Sequence, residues 1–438
     1  MGFSNYNILL KHGGKNIVFN TRTKSLLEVS EEIFDLIRTK DVNALQNLSV
    51  RNLNLLKESG NVVNDNINEL EYIRVLHNLR KYDTAAAGLG ILLTKSCNFA
   101  CTYCFEQDRK GSMTQESFAR LSMLLKNMLP TLHSLNIRWT GGEPLLMWEE
   151  IADISDFLRM ECEKRSINYI ATITTNGYLL NERILEKLVL LGIKQLQITL
   201  DGPKEIHDKR RMLAGGGPTF DTILQAINLA TSYVNVNLRV NLDDYNINSF
   251  QSLIDILDVS ILKKDKIKLF CRPVVDCIKG NLAFAGGGFA KVEADLMKIG
   301  NRKGFMFSFH PNARFGLRCL YYQCNSYYVD PGLNLFKCPE HLNHPWRAVG
   351  VIDETGRIIM TNQTNYLESM RQDPFNLAEC RNCRVLPLCY GKCALLYETS
   401  GKQKGTGCIP EKRTLEGKIR QALTSQDRLQ EFVEDIQT

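Results

Sequence analysis

The chain has 438 residues, 44% of them hydrophobic and 23% charged, with 30 glycines and 12 prolines. That balance excludes a disordered or collagen-like chain and gives two or three globular domains. The formal net charge of +6 is spread along the chain, which excludes a nucleic-acid stripe; with no apolar run near the ~18 residues of a membrane span and no signal-like start, a cytoplasmic protein without membrane or nucleic-acid partners is expected.

Residues 1–85 hold no cysteine. Asn7–Lys11, Asn16–Asn20 and Ser25–Glu28 read as short strands, and Ser30 as the cap of an amphipathic helix over Glu31–Thr39 with Ile33, Leu36 and Ile37 apolar. Val42–Leu48 and Val50–Glu58 read as further helices and Gly60 to Asn66 as a β wing. The sum is a small winged-helix module.

From Gly88 onward, β-rich runs (Gly90–Lys95, Leu135–Thr140, Tyr169–Thr175, Gln195–Leu200, Val234–Leu242, Lys266–Arg272) alternate with helical patterns (Thr114–Met128, Trp148–Arg165, Glu182–Leu191, Phe220–Ser232, Ile247–Leu257). Such alternation makes an α/β domain with a parallel sheet, here a partial (β/α)6 TIM-like barrel with its chemistry at the C-terminal strand ends. Residues 311–410 hold eight of the fourteen cysteines and no long periodic segment, and residues 411–438 read as a charged helix. The expected domains are 1–85, 86–310, 311–410 and the helix 411–438.

Many cysteines in a reducing compartment point to metal or redox chemistry. Cys97-Asn-Phe-Ala-Cys101-Thr-Tyr103-Cys104 follows the first barrel strand directly. Three thiolates hold three corners of a [4Fe–4S] cube and leave the fourth iron open, whereas a structural zinc site is closed by four ligands. Thr140-Gly141-Gly142-Glu143-Pro144 ends the second strand, Thr174-Thr175-Asn176-Gly177 the third and Thr199-Leu-Asp201-Gly202-Pro203 the fourth; His207-Asp208-Lys-Arg210-Arg211 follows, and Asn241 stands on the fifth.

These motifs resemble the radical S-adenosylmethionine (SAM) superfamily. The resemblance implies a SAM-binding cluster on Cys97, Cys101 and Cys104, whose open iron chelates SAM and whose electron releases a 5′-deoxyadenosyl radical. It also implies SAM contacts from Tyr103, through its backbone to the adenine, and from Gly141, Gly142, Glu143 and Pro144 to the amino group, with Glu143 accepting from the ammonium. Thr174, Asn176, Thr199, Asp201, Arg211 and Asn241 are the further cofactor-binding candidates.

Cys380-x2-Cys383-x5-Cys389-x3-Cys393, with Cys408 after it and Cys319, Cys324 and Cys338 before it, resembles the SPASM extension and its two auxiliary [4Fe–4S] clusters. By that family's crossed pattern Cys319, Cys324, Cys338 and Cys393 hold one cluster and Cys380, Cys383, Cys389 and Cys408 the other, making three clusters in all. SPASM members mostly modify peptides, and the winged-helix module resembles a recognition element for ribosomally synthesised, post-translationally modified peptides (RiPPs), which adds a leader segment as an extra strand on its wing. The implied activity is a maturase that cross-links side chains of a ribosomal precursor peptide (through carbon–carbon, ether or thioether bonds; daropeptide-type enzymes are one such subgroup), with flavodoxin or ferredoxin as reductant. A formylglycine-forming sulfatase maturase is the alternative, although such enzymes place an Asp after the third auxiliary cysteine and here Pro339 and Glu340 follow Cys338. Glu340 is the acid/base candidate. An iron–sulfur sensor without SAM chemistry is the reading from another class.

Overall fold

In the computed structural model the described residues are 1–104, 106, 109–276, 281–282, 288–307, 319–391, 415–417, 419–420 and 423. Gly2–Phe3 (β1) precedes an antiparallel sheet in the order β2-β3-β4, formed by Asn7–His12 (β2), Lys15–Asn20 (β3) and Leu26–Val29 (β4). Glu31–Thr39 (α1) begins where the Ser30 side chain accepts from Ile33 N, and Val50–Glu58 (α2) where Ser49 accepts from Asn52 N, the hydroxyl caps that helix starts favour. Asn43–Asn47, within the helical segment expected over Val42–Leu48, is a 3-10 helix. The wing is shorter than expected: Val62–Val63 (β5) is two residues long and already paired with β1. Among the described residues β2 and β4 are the edge strands of this sheet.

Glu69–Lys81 (α3) follows. Its Ile73 joins Tyr6, Phe375, Cys380 and Leu386 in one apolar cluster. Residues 1–81, Cys319 and the described residues from Asp373 onward make one compact unit, and the described residues of Tyr82–Pro311 and Leu320–Gln372 a second. The segment 311–410, read from sequence as one domain, contributes to both.

The second unit is built on Ala86–Leu92 (β6), Ser134–Thr140 (β7), Asn168–Thr175 (β8), Gln195–Thr199 (β9), Asn235–Leu242 (β10) and Ile267–Pro273 (β11), parallel and adjacent in chain order. Between them run Gln115–Met128 (α4), Trp148–Lys164 (α5), Glu182–Leu190 (α6), Lys204–Arg210 (α7), Phe220–Ala230 (α8) and Phe250–Ser260 (α9). After a two-stranded hairpin, Val275–Asp276 (β12) with Asn281–Leu282 (β13), and Gly288–Arg302 (α10), Met306–Phe307 (β14) pairs parallel with β11. On the other edge Ser326–Val329 (β15) pairs parallel with β6, and Asn334–Phe336 (β16), Gly350–Ile352 (β17) and Ile358–Ile359 (β18) extend the sheet antiparallel to eleven strands. The sheet is thus an open, partial barrel with an antiparallel extension.

Side chains alternate across a strand, so the sheet has two unlike faces. Ile137 and Trp139 of β7, Ile173 of β8, Leu196 and Ile198 of β9, and Leu238 of β10 are buried in the same core cluster as Leu121, Leu158, Leu188, Ile227 and Leu257 of the helices. Burying each such side chain contributes about 1.5–3 kcal/mol. The opposite face is polar: Arg138, Thr172, Gln197, Asn237, Arg239, Asn241, Lys268 and Arg272 alternate with the core residues. The C-terminal ends of these strands carry the candidate site.

Candidate active site

The loop after β6 carries Cys97, Cys101 and Cys104, all half-buried and free. Backbone bonds tie it on both sides. Gly142 N donates to Thr94 O (3.1 Å) and Glu143 N to Ser96 O (2.9 Å), while Ala100 N donates to Met212 O and Thr102 N to Arg210 O. The approach to the β7 end is so close that a Cβ on Gly142 would stand 2.2 Å from Ser96 O, and one on Gly141, at φ +133°, 2.4 Å from Thr94 O. These glycines are required by backbone packed on backbone.

Burial pushes the Cys97 thiol up to about 11, with the neighbouring charges of Glu143, Cys101 and Cys104 adding to it, and burial likewise raises Cys104. Iron binding must displace those protons. Among the described residues no three His, Cys, Asp or Glu side chains close on one ion-sized point; the corners of a cube sit on different irons and need no such convergence. Three thiols on one loop, within electrostatic reach of each other, fit that donor set.

Glu143 is fully buried and bonded to the fold. Its Oε1 accepts from Leu145 N (3.0 Å) and Thr175 Oγ1 (2.6 Å), and its Oε2 from Asn176 N (2.7 Å). Burial raises its carboxyl above the usual range against the pull of these donors. Glu143, which the sequence offers as an acceptor for an ammonium, thus also clasps the β7 and β8 ends together. Asn176 Nδ2 in turn donates to Asn98 Oδ1 (2.7 Å) and lies 3.9 Å from Cys97 Sγ. Of the two threonines that end β8, Thr175 is buried in this network and Thr174 is exposed. Pro144 begins a buried 3-10 turn.

A second network gathers at the ends of β9 and β10. Asp201, wholly buried, accepts from Asn241 N (2.9 Å) and from the Tyr103 hydroxyl. That hydroxyl also receives Arg211 Nη1 (2.8 Å) and Asn241 Nδ2 (3.0 Å), and the Arg210 guanidinium lies 4.8 Å above the Tyr103 ring. Asp201 N donates to His207 Nδ1 (3.1 Å), which makes that nitrogen an acceptor; burial, then the Arg211 and Arg210 charges, hold His207 neutral. Arg211 is held protonated: burial works against its charge, but Tyr103, Cys101 and Asp201 outweigh it. Thr199, buried, pairs with Arg239 in the sheet register. Sequence reasoning assigned Tyr103 through its backbone; the structure adds its side chain as the hub of Asp201, Arg211 and Asn241. Arg210 is paired through Nη1 with both oxygens of Asp243 (3.0 and 2.9 Å), and its Nε lies 4.0 Å from Asp201 Oδ2; Nε of Arg211 is a buried donor without an acceptor, which fits an anionic cofactor group such as a SAM carboxylate.

Glu340 is half-buried in a 3-10 turn, Pro339–His341. Its charge acts on Glu106, which is buried, has an orphaned Oε2 and is pushed up to about 7, chiefly by burial. Glu106 was missed from sequence; its one signal is a carboxylate two residues beyond the third cysteine.

Cys324 and Cys338 stand on a rigid support. Lys337, 1% exposed, donates to Gln323 O (2.5 Å) and Ser326 O (2.7 Å) with Nζ 4.8 Å from the Tyr327 ring and 5.6 Å from that of Tyr366. Both tyrosine hydroxyls donate to Cys324 O, at 3.1 and 3.2 Å. In the other unit Cys380 and Cys383 lie around Ala378–Arg381 (α11), and Cys389 ends Leu386–Cys389 (α12), its thiol donating to Gly391 O (2.7 Å). Cys319 is exposed. Cys393 and Cys408 lie outside the described residues.

Residues 91–257 match the radical SAM superfamily. The chain is similar to Fe-coproporphyrin III synthase of Methanosarcina barkeri, 26% identical over 205 residues (47% of this chain, 46% of that one), and to GTP 3′,8-cyclase of Clostridium perfringens, 31% identical over 181 residues (40% and 53%). The match spans about half the length of these curated relatives. Among solved structures, anSMEcpe with bound AdoMet (SAM) has the same fold, at a TM-score of 0.55 and 18% identity over 80% of this chain and 96% of that one. A second anSMEcpe structure, holding AdoMet and the Cp18Cys peptide, gives 0.53 and 19% over 80% and 99%. No helix among the described residues is long and apolar enough to cross a membrane.

Proposed function

We propose that the protein is a radical SAM maturase that forms a side-chain cross-link within a ribosomal precursor peptide. The observation that carries the reading is the cysteine loop sewn by backbone bonds to the Gly141–Glu143 strand end on one side and to Arg210 and Met212 on the other, next to the buried Arg211, whose Nε lacks an acceptor. When bound, the cluster and SAM supply a 5′-deoxyadenosyl radical that takes a hydrogen atom from the substrate. The chain's own residues hold the parts. Glu143 clasps β7 to β8, Tyr103 and Asp201 fix the β9 and β10 ends, and Arg211 and Asn241 present donors there.

A peptide substrate is supported by the fold shared with anSMEcpe, whose structure also holds a peptide, and by the edge strands β2 and β4, where strand addition would act. On this reading residues 1–85 bind the leader, 86–310 carry the chemistry, and Cys319, Cys324, Cys338 and Cys393 with Cys380, Cys383, Cys389 and Cys408 hold two auxiliary clusters. Glu340 is its acid/base group, and flavodoxin or ferredoxin supplies electrons.

The test is anaerobic reconstitution with iron and sulfide, then incubation with SAM, dithionite and the short peptide encoded beside the gene. Mass spectrometry should show 5′-deoxyadenosine and loss of two hydrogens per link, with fragmentation blocked between two residues. Release of 5′-deoxyadenosine without any change in the peptide's mass refutes the cross-linking reading.

A further inference from the structure

The inner face of the sheet carries a pair of like charges that the reading above does not use. Arg239 lies on β10 two residues before Asn241, and Arg272 on β11 stands directly opposite Asn241 in the parallel register. Both therefore share the polar face and are diagonal neighbours across the two strands, a spacing of ~7–8 Å that long side chains bridge. Both are half-buried. Arg239 Nε donates to Asn241 Oδ1 (2.7 Å), which fixes one edge of its guanidinium. Among the described residues its Nη1 and Nη2 donate to no one, and neither arginine has a carboxylate within ion-pair distance. Burial, and after it the charge of Arg272, lower the proton affinity of Arg239.

We propose that Arg239 and Arg272 form a carboxylate-binding site at the C-terminal ends of β10 and β11, beside the Tyr103–Asp201–Asn241 network. Two planar guanidiniums offer the forked donors that a carboxylate accepts in pairs, and an entering anion removes the repulsion between them. Two half-buried like charges oppose compaction, and Glu340 and Asp201, whose charges act on Arg239 in the opposite sense, are not within ion-pair distance of it. The carboxylate has two sources. One is the bound peptide, as an acidic side chain or a C-terminus, and the other is SAM. On the reading above Arg211, with its unpartnered Nε, is the donor for the cofactor, so the peptide is the favoured source. That assignment rests on the proposed function, whereas the site does not.

The experiment uses the cluster-loaded full chain and Arg272→Gln, with Arg272→Lys to keep the charge and lose the fork. Glutarate and its neutral counterpart glutaramide are titrated at constant ionic strength, and SAM and decarboxylated SAM are measured in parallel. Wild type should bind glutarate and ignore glutaramide, and Arg272→Gln should weaken glutarate about tenfold or more, the forked contact being a large share of so small a ligand's affinity. Arg272→Lys should fall between. Without ligand, Arg272→Gln should also melt at a higher temperature, because it relieves the like-charge pair; a structural arginine would give the opposite sign. Unchanged SAM affinity in the variant assigns the site to the peptide. Loss of the preference for SAM over decarboxylated SAM assigns it to the cofactor's own carboxylate. Equal glutarate and SAM affinities in wild type and variant, or a lower melting temperature for Arg272→Gln, overturn the site.

Discussion

Replacing Glu143 by Gln tests whether the clasp at the β7 and β8 ends holds the site together. The carboxylate receives two backbone N–H groups, Leu145 at 3.0 Å and Asn176 at 2.7 Å, one on each oxygen, and the Thr175 hydroxyl at 2.6 Å. A glutamine has one acceptor oxygen, so whichever way its amide turns, its NH2 group faces one of those N–H groups. The Thr175 hydroxyl can rotate to accept; a backbone N–H cannot. One buried donor is then left unsatisfied, at about 1–3 kcal/mol. Loss of a buried charge works the other way and sets the result toward the lower end of that range at neutral pH. The same change loosens the strand end from Ser96 and Thr94, so 5′-deoxyadenosine formation should fall with stability. Urea unfolding of the cluster-loaded protein measures the first effect and single-turnover SAM cleavage the second. A Glu143→Gln variant with wild-type stability and wild-type cleavage would refute the clasp.

Gly142→Ala should lose cluster iron and SAM cleavage, because its Cβ would meet the Ser96 and Lys95 carbonyls at 2.2 and 2.4 Å and push the cysteine loop away; iron and sulfide counts against wild type check it. His77 packs between Phe375 and Tyr390 (ring centroids 5.4 and 5.8 Å), and burial lowers its pKa from 6.5 to about 4. A folded-state value below the unfolded one gives stability that is present above pH 6.5 and lost as pH falls toward 4, of order 3 kcal/mol in all. Unfolding at pH 7 and pH 4 should show that His77→Gln loses less stability on acidification. Lys337→Met strips the Gln323 and Ser326 carbonyls of their donor and should destabilise by about 1–3 kcal/mol, with a changed electron-paramagnetic signal from any cluster held by Cys324 and Cys338. Leader binding, if it is strand addition, should slow amide exchange over Leu26–Val29 or Asn7–His12. Removing residues 1–85 is a poorer test, since it also strips Tyr6 and Ile73 from Cys380, Phe375 and Leu386.

The parallel barrel was legible because each strand and helix repeats its own period. Glu31–Thr39 and Val50–Glu58 match the sequence reading to the residue, and β7, β8 and α5 match to within a residue or two. Helix α3 was not legible because its solvent side carries Tyr72, Val75 and Leu79, all exposed, while His77 and Lys81 are buried. Hydrophobicity there does not mark the inner face. Strands β15 to β18 are two to four residues long and have no period to read; their pairing is a long-range property. The site divides the same way. The cysteines and the Gly141–Pro144 run stand out by spacing, but which face of β8 each threonine occupies is set by register: Thr174 stands opposite Gln197 on the polar face, while Thr175 turns to Glu143. The roles of Tyr103 and Glu106 depend on burial, which composition does not show.

The pairing of β15 with β6 also bears on how the chain is made. The Asn325 side chain bonds to Thr84 O across 241 residues, and the strands that follow lock Ser326 to Gly88 and Val329 to Ile91. At ~5–20 residues per second of synthesis, β6 waits roughly 12–50 s for its partner. During that time one edge of the first barrel strand is an open template, with Leu89 and Ile91 in the same segment. Any chain released before Val329 keeps that edge for good. Such fragments should aggregate, and the nascent protein should depend on a ribosome-associated chaperone over the second half of its translation.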